Sequence, residues 1–223
     1  MGVERTWMSW SGGKDAALAL ERLRADPDVE VAGLLTTASA ARGVVPYQEV
    51  GVDLIAAQAE ALRLPLHVLS LPEPCPNADY EAALAPALAA AAAEAVTAVA
   101  FGDLALADVR AYREALVAGA GLSARFPLWD AATPDLAGML LETGIAATLT
   151  CVDTAQAPAW LAGRAYDAAL LADLPDGVDP CGERGEFHTF VTDAPGFAAP
   201  IVVEPVAVTE RDGYAVCGLA LAR

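Results

Sequence analysis

The chain has 223 residues, 30 acidic against 13 basic, and a formal net charge of −17. That length fits one large or two small domains with a proper core. No uncharged apolar run reaches the ~18 residues of a membrane span, and the acid excess argues against nucleic-acid partners, whose binding draws on phosphate neutralisation.

Four cysteines (Cys75, Cys151, Cys181, Cys217) lie far apart with no Cys-x-x-Cys pair. They read as reduced thiols of a cytoplasmic protein rather than as a zinc site. No basic stretch leads an apolar one at the N-terminus, so no signal peptide is expected.

In chain order, a short apolar run, Thr6-Trp7-Met8, leads into Ser9-Trp10-Ser11-Gly12-Gly13-Lys14-Asp15-Ala16. Residues 17–23 follow with apolar positions three and four apart, a helical period. Strand, glycine turn and helix are the geometry in which backbone N–H groups converge on an anion. Gly12 and Gly13 let the backbone approach a phosphate, Lys14 adds a compact cation, and Asp15 offers oxygen to a magnesium ion. Lys14 is the only lysine in the chain; the other twelve basic residues are arginine. A site that needs an ammonium explains this better than chance. An ordinary Gly-Gly turn before a helix is the alternative reading.

Residues 29–36 read as a buried strand whose end, from Leu35 and Thr36 to Ser39, lies beside the glycine loop, where an adenine fits. The pattern predicts a helix over 47–62 and a third strand over 66–71, with His67 as a structural or surface residue. Asn77 is expected to cap an alanine-rich helix over 78–95, which Pro86 either kinks or divides. Residues 96–101 form a fourth strand that ends in Gly102 and Asp103, at the sheet edge where doubly wound folds hold ligands. A helix over 108–118 carries Arg110, Tyr112 and Arg113. Thr133 is expected to cap a helix that starts with Pro134 and ends before Gly144. A strand over 145–152 and a hairpin over 201–221, turning at Asp212-Gly213, complete the tail.

Between them, residues 179–191 pack Asp179, Glu183, Glu186, Arg184 and His188 together with Gly182 and Gly185. Glycines beside the glutamates suggest a strained loop that presents carboxylates to a cation, an amine or a metal. A charged surface loop running into a strand is the alternative.

The first motif resembles the Ser-Gly-Gly-x-Asp-Ser signature of the PP-loop ATP pyrophosphatases, which split ATP into AMP and pyrophosphate. Ser11-Gly12-Gly13-Lys14-Asp15, Phe101-Gly102-Asp103, Tyr112-Arg113, Pro127-Leu128-Trp129 and the run from Gly182-Glu183 through Gly185-Glu186-Phe187-His188-Thr189-Phe190-Val191 are similar, in that order, to the diphthine–ammonia ligase family. The resemblance spans residues 7–200. It implies an α/β fold: a PP-loop domain on a parallel five-stranded sheet, expected over 1–132, and a smaller C-terminal α/β domain over 133–223. It also implies ATP-dependent amidation, in which a carboxylate is adenylated and then attacked by ammonia. On this reading Ser11, Gly12, Gly13, Lys14, Asp15, Leu35, Thr36, Gly102 and Asp103 hold ATP, and Asp15 and Asp103 meet Mg2+. Lys14, Glu183, Glu186 and His188 then carry the chemistry. The acceptor carboxylate, borne on a protein such as elongation factor two or elsewhere, is not specified, and a homo-oligomer stays open. Ala16 departs from the motif serine, which keeps a nucleotide-binding module without turnover as an alternative. A tRNA-thiolation enzyme is a further one, disfavoured by the acidity and the missing cysteine pair.

Overall fold

The structure, a computed structural model, describes residues 2–222. Its N-terminal elements run β1 (Glu4–Ser9), α1 (Lys14–Arg24), β2 (Val29–Ser39), β3 (Val44–Val45), β4 (Val50–Gly51), α2 (Val52–Leu62), β5 (Leu66–Leu71), α3 (Asn77–Ala93), β6 (Ala98–Ala100), α4 (Ala107–Ala118) and β7 (Ser123–Arg125). Five of these strands form one sheet in the order β5-β2-β1-β6-β7, and every pairing in it is parallel. The chain then gives α5 (Thr133–Thr143), β8 (Ala146–Asp153), a 3-10 turn at Ala159–Leu161, α6 (Ala168–Asp173), β9 (Phe187–Asp193), β10 (Val203–Arg211) and β11 (Tyr214–Leu221). Their strands form an antiparallel sheet, β10-β11-β8-β9. No helix among the described residues is long and apolar enough to cross a membrane.

Alternation along β1 and β2 sends side chains to both faces of the parallel sheet. Trp7 and Leu35 join Leu84, Leu88, Val99 and Phe101 on one face. Met8 and Leu34 join Leu18, Leu54 and Ile55 on the other. That second cluster runs on without a break into Leu149, Phe190 and Val191 of the antiparallel sheet. His67 has a structural place, its ring stacked on Trp7 at 4.0 Å between centroids. The strands flanking β1 lead off in opposite directions, which makes the carboxyl ends of β1, β2 and β6 a topological switch point.

Several local expectations are corrected. α2 begins at Val52, not at residue 47, because Tyr47 and Glu49 have φ of 67° and 55° and the short β3–β4 ladder occupies the preceding residues. α3 is one helix with Pro86 inside it, and its N-cap is Pro76 rather than Asn77. Thr133 is the first residue of α5, not its cap; its hydroxyl instead donates to Asp179 Oδ2 at 2.7 Å. The fifth strand of the parallel sheet is the three-residue β7.

One buried amide ties the two sheets. Gln58 of α2 is fully buried; its Oε1 accepts from Trp10 Nε1 at 2.8 Å. Its Nε2 donates to Gly12 O at 3.0 Å and to Val191 O at 2.7 Å. Replacing it with leucine strands the indole N–H, and unsatisfied buried groups cost about 1–3 kcal/mol each. For Gln58→Leu we expect a fall in Tm of about 4–10 °C, read by calorimetry; an unchanged Tm would show that the amide network is dispensable.

Candidate active site

The glycine loop, residues 11–15, follows β1 and opens α1, so its conformation is set from several sides. Gly12 has φ +81°, and a Cβ there would stand 2.6 Å from Ile55 Cδ1 and 2.8 Å from Gln58 Oε1. Gly13 is closed in by Thr189 O at 3.2 Å. Ser11 Oγ accepts from the Gly13 N–H at 3.3 Å. The Lys14 N–H donates to Thr189 Oγ1 at 3.0 Å, and the Val191 N–H donates to Gly12 O at 2.9 Å. Thus β9 uses one N–H of the helix start and fixes the loop's outer edge. Gly102 brings the end of β6 against α1: a Cβ there would lie 3.1 Å from Ala16 N.

A cavity of about 680 Å3 opens at the carboxyl ends of β1, β2, β5 and β6. Ser11, Asp15, Leu35, Thr36, Gly102 and Asp103 are among its walls, so six of the residues predicted to hold ATP share one space. Its volume falls in the range of small-molecule and cofactor sites. Ala16 also lines it. A second cavity of about 390 Å3 adjoins it across Pro46 and Tyr47, between residues 40–51 and the tip of the β10–β11 hairpin. An ion-pair chain borders this second space: Arg42 meets Glu73 at 2.7 Å and Glu49 at 2.5 Å, and Arg211 reaches Glu49 from the hairpin. The hydrogen bond from Arg42, with one from Ser39, holds Glu73 at about 2.

Lys14 does not extend into the larger cavity. Its side chain is 2 % exposed, and Nζ donates to Asp15 Oδ1 at 3.0 Å, to Asp15 Oδ2 at 2.8 Å and to Cys181 O. The rings of Tyr166 and Phe187 face the ammonium at 5.7 and 5.5 Å. The Tyr166 hydroxyl donates to Pro180 O at 2.8 Å. Two consecutive carbonyls of the second loop are therefore held, one from the glycine loop and one from the chain before α6. Sequence reasoning missed Tyr166 and Gln58. Gln58 had a signal: it continues the apolar stripe of Leu54, Ile55 and Leu62 at helical spacing.

The three acids of the 179–186 loop have different surroundings. Asp179 Oδ1 accepts from the Cys181 N–H at 2.8 Å, and Oδ2 accepts from Thr133. Glu186, 2 % exposed, accepts from the Asp179 N–H at 2.9 Å, the Arg184 N–H at 3.0 Å and the Arg184 guanidinium at 2.7 Å. Burial pushes its pKa up, but these hydrogen bonds outweigh burial and leave it lowered. Glu183 follows Gly182, whose φ of +68° and 2.7 Å clearance to Phe187 O admit no side chain. Glu183 has a pKa pushed up to about 7, first by burial and then by the negative charges of Asp15 and Asp103, with Lys14 opposing. It thus senses both carboxylates of the larger cavity.

His188 lies on β9 beside Cys151 of β8, its ring 5.6 Å from that of Tyr47. Burial, and then the charge of Lys14, lower it to about 4, so it is a neutral imidazole at pH 7. Among the described residues no side-chain hydrogen bond joins it to Glu183 or Glu186.

Asp103 is paired with Arg113, 2.8 Å from Nε to Oδ2, and burial raises its pKa. That contact is out of line for a hydrogen bond, which leaves Asp103 Oδ2 and Arg113 Nε buried without hydrogen-bond partners. Among the described residues no group of three or more His, Cys, Asp or Glu is set to hold a metal. Two carboxylates stand on one cavity wall, and Mg2+ takes one or two carboxylates and completes its shell with phosphate and water. Each is already paired with a cation, Asp15 with Lys14 and Asp103 with Arg113, and would have to turn from it to meet the ion.

No curated protein matches the sequence. A sequence model of the diphthamide synthase N-terminal domain matches residues 4–124, from the first strand of the parallel sheet into the last. The match covers more than half the chain and contains the glycine loop and the walls of the larger cavity, and the chain belongs to this family of PP-loop, ATP-utilising enzymes.

Proposed function

We propose that the protein is an ATP-dependent carboxylate–ammonia ligase that releases AMP and pyrophosphate. The observation that carries the reading is the one cavity walled by Ser11, Asp15, Gly102 and Asp103, beside which the half-buried carboxyl of Glu183 has its pKa raised to about 7, by burial and then by the charge of Asp15. A general base works best when its pKa lies near the operating pH.

In this scheme an acceptor carboxylate oxygen attacks the α-phosphorus of ATP. The bond between the α-phosphorus and the bridging oxygen breaks, and pyrophosphate leaves from the glycine loop. Asp15 and Asp103 would hold Mg2+, which when bound neutralises charge on the phosphates. Ammonia then attacks the acyl carbon: the C–N bond forms, the bond to AMP breaks, and Glu183 takes a proton from nitrogen. Lys14 fixes the glycine loop against the base-bearing loop. Glu186 shapes that loop, since its oxygens are engaged by backbone and Arg184. His188, neutral, borders the acceptor beside Tyr47. Residues 1–132 serve as the nucleotide domain and 133–223 as the acceptor domain, and the acceptor enters through the smaller cavity. Free thiols at all four cysteines suit a reducing cytoplasm.

The test is an ATP-dependent screen of candidate carboxylates with ammonium, read by product. AMP and pyrophosphate are expected in the presence of a competent acceptor; ADP and phosphate would overturn the assignment. Ala16 supports a second reading, a nucleotide-binding module, because a hydroxyl bonded to a charged phosphate is worth roughly 1.5–3 kcal/mol. ATP binding without AMP release under any acceptor would favour it.

A further inference from the structure

The smaller cavity, of about 390 Å3, shares Pro46, Tyr47 and Glu73 with the larger one. Its two arginines differ in what they leave free. Arg42 is fully engaged: Nε and Nη2 donate to Glu73 at 2.8 and 2.7 Å, and Nη1 donates to Glu49 at 2.5 Å. Arg211 is half-exposed and donates through Nη2 alone, to Glu49, so Nε and Nη1 have no partner among the described residues. Asp212, the next residue at the hairpin turn, also lines the cavity, and among the described residues it has neither a side-chain hydrogen bond nor an ion pair. The capacity left for a ligand is therefore a guanidinium edge and a carboxylate on consecutive residues, at one end of the space.

From that end the floor leads toward the nucleotide. Val216 and Cys151, both buried, are register partners across β11 and β8, and Cys151 is in turn the partner of His188 on β9. His188 adjoins Tyr47, which belongs to both cavities. Two strand spacings, about 10 Å, separate Val216 from His188. A ligand in this space meets a charged end, an apolar floor and an opening toward ATP.

A free α-amino acid carries a carboxylate and an ammonium on one carbon, the complement of a guanidinium beside a carboxylate. We propose that the acceptor is a free amino acid with a second, side-chain carboxylate, whose head is held by Arg211 and Asp212 while its distal carboxylate reaches the nucleotide. The proposal rests on the ligase reading of the site and names its substrate class. The distal carboxyl carbon forms the C–N bond with ammonia and releases AMP, so the head leaves unchanged. A chain of net charge −17 offers an acid no general attraction, so its capture falls to this local cation. A protein-borne side chain has its α-groups in peptide bonds and presents no such head.

The experiment gives the full chain, as wild type, Arg211→Ala and Asp212→Asn, Mg-ATP and ammonium with each acceptor, and reads AMP release as kcat/KM. L-aspartate, L-glutamate and L-α-aminoadipate set the stem length. The best of them is compared with the same acid lacking the amine and with the same acid lacking the α-carboxylate (glutarate and γ-aminobutyrate in the case of glutamate). The wild type is expected to prefer the complete head by about ten- to a hundredfold over either analogue, the worth of a hydrogen bond to a charged group. Arg211→Ala is expected to lose the preference for the α-carboxylate and keep that for the amine, and Asp212→Asn the reverse. A merely structural role for Arg211, acting through Glu49, would lower all acceptors alike and leave the ratios in place, which overturns the assignment. AMP release only with a glutamate blocked as the Nα-acetyl amide would overturn it too. Melting temperature is the folding control, and Arg211→Gln is read by the same ratios if Arg211→Ala does not fold. If no carboxylate, free or blocked, yields AMP, the ligase reading itself fails, and this proposal with it.

Discussion

Lys14→Arg is expected to lower AMP-forming turnover about a hundredfold, nearly as far as Lys14→Ala. The charge is unchanged, so the loss comes from shape. The ammonium is 2 % exposed, three acceptor oxygens surround it, and two aromatic rings face it within 6 Å. A guanidinium is planar and longer, and its fork cannot meet Asp15 and Cys181 O from the same point. Either the side chain or the 180–183 backbone must move, and a misplacement of about 1 Å can cost a hundredfold in rate. ATP affinity should fall less than turnover, because the cavity walls that hold the nucleotide stay in place. The measurement is turnover and ATP affinity for both variants, with melting temperature as the folding control. Near-normal turnover in Lys14→Arg would mean that charge alone suffices.

Glu183→Gln should divide the reaction rather than abolish binding. ATP affinity is expected to stay within a few-fold of wild type, while amide formation falls about 10²- to 10⁴-fold, the usual worth of a positioned general base. The pH dependence follows from the raised pKa. Burial favours the protonated carboxyl up to about 7, so the active, ionised base is scarce below that pH and dominant above it. At fixed free ammonia, wild-type amide formation should therefore rise about tenfold per pH unit below 7 and level off above, and Glu183→Gln should lose this limb. Glu186→Gln differs: it disturbs the hydrogen bonds that build the loop, so its melting temperature should fall together with its activity. If Glu183→Gln keeps the pH limb, another group supplies the base.

Much of this was legible because the signals are local. The glycine loop lies between an apolar strand and a helical period, and the turn at Asp212-Gly213 has φ of 50° and 84°, as a tight hairpin requires. β7 was not legible: Ser123-Ala124-Arg125 has no alternation and is three residues long. The 47–51 stretch reads as helix by composition, but backbone with positive φ at Tyr47 and Glu49 leaves no mark in the residue types. The division among the loop acids was hidden for a different reason. Asp179, Glu183 and Glu186 look alike in a row, and only the folded loop separates them: it turns the Asp179 and Arg184 N–H groups and the Arg184 guanidinium onto Glu186, while Thr133, 46 residues away, donates to Asp179. Lys14 stands out in the sequence as the single lysine, but one of its partners is a backbone carbonyl 167 residues away.

The bonds from β9 to the glycine loop also set a schedule for the nascent chain. Lys14 and Thr189 are 175 positions apart, and Gln58 and Val191 are 133 apart. At about 5–20 residues per second, a ribosome takes roughly 10–35 s to make that stretch. For all of that time the glycine loop lacks its bonds from β9, and Gln58 lacks one of its acceptors. Nucleotide that meets the early half meets a glycine loop whose bonds to Thr189 and Val191 are still to form. Contacts of such long range slow folding, and the growing chain must keep an open parallel sheet out of trouble until β9 arrives.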